Sequence, residues 1–115
     1  MSENIVNHFL SLLLSGNIQA VAAKYYDESV KVTLNESTEA KDKMSGISLL
    51  QQAMKYMQVL QFKVVDLRYT GNSLSYGVYL VTRNEDNVID FSEHQIINKW
   101  RNNLIYCHNH IITNY

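Results

Sequence analysis

Apolar and polar residues along this chain first change their period near Tyr26, from helical spacing to alternation, and after one further helical stretch the alternation holds to the end. From Ser2 to Leu14, Ile5, Phe9, Leu12 and Leu13 recur at helical spacing with Val6 and Leu10 beside them, which predicts a first helix. Ser15-Gly16 stops it, and Asn17 suits the cap of a second helix from Ile18 to Tyr26, with Ile18, Val21, Ala22 and Tyr25 as its apolar face. Ser29 to Leu34 alternates strictly and reads as a half-buried strand. Residues 35–46, NESTEAKDKMSG, read as a polar loop. Ser48 and Gln51 fit a capping box, so a third helix is expected from there to about Leu60, with Ile47, Leu50, Met54 and Met57 along one face. The rest alternates at period two. Strands are expected over Phe62–Tyr69, Leu74–Arg83, Val88–Arg101 and Leu104–Thr113, with a tight turn at Asn102-Asn103, since Asn tolerates positive φ. Helices with one inserted strand, then a four-strand antiparallel meander, make an α+β chain.

Composition narrows the picture. A chain of 115 residues supports one core, so residues 1–115 are expected to form one domain. Its net charge is −1, without charge runs, and the footprint of a nucleic-acid binder is missing. One cysteine excludes an internal disulfide and fits a reducing, cytoplasmic setting. IVNHFLSLLL, residues 5–14, is apolar, but no Lys or Arg precedes it and no small-residue cleavage site follows. It is also too short to span a membrane, so no membrane partner is expected.

Three stretches resemble the nuclear transport factor 2-like superfamily, which includes ketosteroid isomerases and SnoaL-like cyclases. They are Ser15-Gly16-Asn17 followed by Lys24-Tyr25-Tyr26-Asp27-Glu28-Ser29-Val30, then Gly46, then Trp100-Arg101-Asn102-Asn103-Leu104-Ile105. The resemblance covers nearly the whole chain. It implies a cone-shaped fold in which three N-terminal helices pack on a curled, mostly antiparallel sheet. It also implies an apolar pocket in the cone and a dimer through the outer sheet face. The isomerase's catalytic tyrosine would fall at Phe9 and its base aspartate near Thr33, and neither residue can do that work. The cyclases' histidine would fall near Ile96, and their aspartate near His110, where an imidazole could serve as a base near neutral pH.

The remaining candidate chemistry is in the C-terminal hairpin. If Asn102-Asn103 is a two-residue turn and the ladder is regular, Trp100 faces Ile105, Asn98 faces Cys107, Ile96 faces Asn109 and His94 faces Ile111. That face is the more apolar and is assigned to the cone interior. His108 and His110 then fall on the outer face with Lys99, Gln95 and Glu93, and a bulge in the hairpin would reverse the assignment beyond it. His-x-His on a strand can ligate zinc with a third ligand such as Glu93, but an outer-face role is the plainer reading, and no metal or cofactor is expected. Cys107 is expected to be half-buried and inert, Tyr79 and Tyr106 to face outward, and the charged residues 35–43 to form a solvated lip at the cone mouth.

The expected pocket is lined by Phe9, Met54, Met57, Tyr76, His94, Asn98, Trp100 and Asn109, with Met44 as a further candidate. The first expectation for function is a module binding a small apolar molecule, non-catalytic or of unassigned reaction. The second is an isomerase-, cyclase- or lyase-type enzyme using His94, then His110. The third is an interaction protein, a homodimer working through its outer sheet.

Overall fold

The computed structural model describes residues 3–14, 18–53 and 58–115. Helix α1 spans Glu3–Leu14 and α2 Ile18–Tyr25, as their periodicity predicts. Tyr26 is already extended and opens strand β1, Tyr26–Leu34. The polar stretch after it is not all loop. Asn35 and Glu36 take positive φ (53° and 62°) and turn the chain into a short strand β2, Thr38–Ala40. Helix α3, Lys43–Ala53, starts five residues before Ser48. Its cap is Asp42, whose Oδ1 accepts the Ser45 N–H at 2.8 Å, so the expected capping box at Ser48 and Gln51 falls inside the helix. Met54 and Met57 lie outside the described residues.

Strands β3 (Gln58–Thr70), β4 (Ser73–Arg83), β5 (Ile89–Arg101) and β6 (Leu104–Asn114) form the expected antiparallel meander. Strand β1 joins its edge parallel to β6, and β2 pairs antiparallel with β1, giving a six-stranded sheet in the order β2-β1-β6-β5-β4-β3. The helices cover its inner face. Gly46 of α3 packs so closely on β1 that an added Cβ would stand 2.6 Å from Val32 Cγ2; only glycine allows that approach.

Asn102 and Asn103 form the two-residue turn, both at positive φ (54° and 65°). Trp100 faces Ile105 as expected, but Lys99 faces Cys107, so Tyr106 is an extra residue on β6. Tyr106 is half-buried, with the Arg101 guanidinium 4.7 Å from its ring centroid. This bulge shifts every later pairing by one: Asn98 faces His108, Ile96 faces His110 and His94 faces Ile112. The regular-ladder assignment is therefore corrected beyond Ile105. His108 and His110 are buried inside, while Asn109 is half-buried opposite Ile97, and Ile111 is exposed opposite Gln95.

At the turn end of the inner face, Phe9, Tyr25 and Trp100 pack edge-on at 5.3 to 5.7 Å between ring centroids, with Leu74 and Ile105 fully buried among the core. No described helix is long and apolar enough to cross a membrane.

Candidate active site

From the aromatic end toward the far end of the sheet, the inner face becomes polar. On β5, alternation turns Asn98, Ile96, His94 and Ser92 inward, and on β6 the bulge turns His108 and His110 inward beside them. Tyr26, the first residue of β1, reaches the same surface. These side chains form one line. Ser92 Oγ lies 3.2 Å from His94 Nε2, His94 Nδ1 lies 2.6 Å from His110 Nε2, His110 Nδ1 lies 3.1 Å from His108 Nε2, and His108 Nδ1 lies 2.9 Å from Tyr26 Oη. Every ring nitrogen of the three histidines has a partner, which is what makes their burial tolerable.

Burial pushes the imidazoles toward the neutral form, from the ordinary 6.5 to about 4 at His94 and about 4 at His108. His110 goes well below 6.5 through burial, then through its two histidine neighbours. Burial, then Tyr76, raises the Tyr26 phenol well above its usual range. At pH 7 the line is uncharged.

The line borders a partly open cavity of about 30 Å³, room for about two waters. Tyr26, Tyr76, His94, Asn98, His108 and His110 supply its polar edges, and Leu13, Val21, Leu50, Phe62, Val78, Leu80 and Ile96 the rest. No Asp, Glu, Lys or Arg is among these residues. Asn98 Nδ2 donates to Tyr76 Oη at 3.3 Å, while Asn98 Oδ1 is buried without a partner among the described residues. It would accept a hydrogen bond from a water or ligand donor.

Of the residues expected around a pocket, Tyr76, His94 and Asn98 border this cavity. Phe9 and Trp100 are buried in the aromatic end instead, Asn109 is turned to the other face, and Met44 is 81% exposed. Thr33 pairs with Asn109, on the opposite side of β1 from buried Val32. Sequence reasoning missed Tyr26 and Ser92. Helical spacing makes Tyr26 the last residue of a helix, and Ser92 is one serine in a mixed strand; neither carries a signal that spacing alone would raise. A regular ladder also puts His108 and His110 on the wrong side, and only a recognised bulge corrects that. His108, His110 and His94 do not converge on one point, because His110 meets its neighbours through opposite ring nitrogens. Among the described residues no group of three or more His, Cys, Asp or Glu is arranged to hold a metal ion.

The architecture is that of the nuclear transport factor 2-like fold. No family model matches the sequence, and no curated protein matches it. Solved structures match it in shape. One described as a SnoaL-like polyketide cyclase from Mesorhizobium loti superposes with a TM-score of 0.83 at 14% identity, over 96% of this chain and 98% of that one. Another so described, from Jannaschia, gives a TM-score of 0.82 at 5% identity, over 97% and 89%. A nuclear transport factor 2-like protein of unknown function from Cytophaga hutchinsonii gives 0.74 at 14% identity, over 96% and 98%. At these identities the likeness establishes the fold alone.

Proposed function

We propose that this protein is a proton-transfer catalyst of the isomerase, cyclase or lyase kind, acting on a small, largely apolar molecule held in the cone. The observation that carries this reading is the line of neutral imidazoles ending at Tyr26 on the wall of an apolar cavity. A proton taken from a substrate carbon or hydroxyl at the Tyr26 end can be passed along the neutral imidazoles, each of which has one N–H and one lone pair engaged in the line. Their depressed pKa values make the conjugate acids strong, so the proton is readily returned. Asn98 Oδ1 and Tyr76 supply orienting hydrogen bonds, and the apolar walls exclude water. The cavity volume favours a compact substrate, with the walls adjusting to admit anything larger than two waters.

The test is hydrogen exchange in deuterated buffer with a panel of small cyclic enolisable ketones, read by NMR. Wild-type protein should accelerate deuterium uptake at the carbon next to the carbonyl, and His94→Gln should lower the rate about 10²-fold or more. Ketones that raise the melting temperature but gain no deuterium would make the protein a passive binder.

A second reading concerns the other sheet face. Tyr79, Phe91, Ile97 and Ile111 are exposed there at 39% to 55%. A homodimer through this face would cover them, consistent with the aromatic and aliphatic content of interface centres. A monomer by light scattering across the accessible concentration range would remove this reading.

A further inference from the structure

Resting on the proton-transfer reading, we infer that Ser92, His94, His110, His108 and Tyr26 form one proton wire that changes direction as a unit, with its Tyr26 end at the bound molecule and its Ser92 end toward solvent. The geometry limits the choices. A neutral imidazole has one N–H and one lone pair, so each histidine must donate to one neighbour and accept from the other. Four consecutive contacts through opposite ring nitrogens then leave two arrangements. In the first, Tyr26 O–H donates to His108 Nδ1, and all three histidines carry their proton on Nε2, the last donating to Ser92 Oγ. In the second, Ser92 O–H donates to His94 Nε2, and all three carry it on Nδ1, the last donating to Tyr26 Oη. A mixed set would put two N–H groups, or two lone pairs, face to face in a buried site, which is costly. The phenol is the stronger donor of the two ends, so the first arrangement is the resting one.

An excess proton fits at any of the three imidazoles, with the hydrogen bonds on either side pointing away from it. None of the four contacts is lost, and only desolvation opposes the charge. Proton abstraction follows directly. Tyr26 Oη takes a proton from the substrate as its own passes to His108 Nδ1. The Nε2 proton of His108 passes to His110 Nδ1, that of His110 to His94 Nδ1, and that of His94 to Ser92 Oγ, which releases its hydroxyl proton to water. The substrate keeps the electron pair, the released proton is outside, and the wire stays neutral in its second arrangement. The reverse sequence returns a proton to the substrate and restores the first arrangement. The two ends suit these roles. Tyr26 borders the cavity; Ser92 does not, and although it is itself buried it pairs with exposed Asn114 near the end of the last strand, the short way out for a proton.

The test reads tautomers, which need no substrate. Protein labelled with ¹⁵N in its histidines, at pH 7, should show His94, His108 and His110 in the same tautomer, protonated on Nε2. Tyr26→Phe should then shift the tautomer populations of His94, two imidazoles away, and Ser92→Ala should shift those of His108. The two variants are independent, so failure of one to fold leaves the other as the test. Different tautomers among the three, or changes confined to the histidine touching the altered residue, would overturn the wire. Coupled tautomers in a protein that exchanges no ketone would keep the wire and remove the catalytic reading. Exchange with uncoupled tautomers would do the opposite.

Discussion

The two ends of the inner face are built from rings in nearly the same geometry, with opposite consequences. Phe9 meets Trp100 edge-on at 5.3 Å and 89°, and His94 meets His110 edge-on at 4.9 Å and 75°. At the Trp100 end the contact is made of carbon, and its strength comes from area removed from water. At the histidine end the contact is a hydrogen bond, and its strength depends on which nitrogen holds a proton. The first end is set by the shape of its rings, and it even tolerates the Trp100 indole N–H buried without a partner among the described residues. The second is right only when every donor finds its acceptor. Packing and the proposed proton transfer are thus separated along one sheet, with Asn98 and Tyr76 at the border between them.

Truncating the packed end should cost most. Trp100→Ala removes a 2%-exposed indole from the cluster and should destabilise by about 3–5 kcal/mol, seen as a lower denaturant midpoint. The wire should respond less to a change of similar size. His110→Leu keeps much of the volume but leaves His94 Nδ1 and His108 Nε2 unpaired, for a loss of about 2–4 kcal/mol. If His110→Leu proved as stable as wild type, the two ends would differ less than their hydrogen bonding implies.

Acid should separate the ends without any substitution. Between pH 6.5 and about 4 the unfolded histidines bind protons and the buried ones do not, so the unfolded state gains. Stability is full above the unfolded value and falls as pH drops through this window, by up to about 1.4 kcal/mol per pH unit for each of the three imidazoles. No Asp, Glu, Lys or Arg borders the cavity to offset it. Urea titrations at pH 7, 6, 5 and 4 would show this, and a flat profile would mean that the imidazoles are not buried neutral. The smallest effect belongs to the outer face. Phe91→Ser, at a site 55% exposed, should move the monomer's stability by no more than about 0.5 kcal/mol. A larger loss that grows with protein concentration would point to the dimer.

Much of this was legible in the chain. The helical stripes of α1 and α2, the alternation of β3 to β6 and the Asn102-Asn103 turn are repeated signals, and each rests on several residues. Tyr76, His94 and Asn98 could be placed inside because they lie on strands whose apolar face is clear. The rest of the site depended on single events. Tyr106 drops out of the pairing with no change in composition, and the two faces of β6 are too alike in polarity for the pattern to expose the slip. The cap of α3 depended on choosing Asp42 over Ser48, and both residues suit a cap. Tyr26 sits where period 3.6 becomes period 2, so neither pattern assigns its direction.

Tyr106 has a consequence out of proportion to its contacts. It sets the parity of everything beyond it on the last strand. Were Tyr106 paired opposite Lys99 instead of standing outside the ladder, the strand would turn Cys107 and Asn109 toward the cavity in place of His108 and His110. A thiol and an amide would then furnish a space now furnished by imidazoles, without one cavity residue having mutated. Whether the bulge forms, not only which residues the strand carries, selects the chemistry of the site, and changes at the hairpin that remove the bulge while keeping the residue would exchange one chemistry for the other.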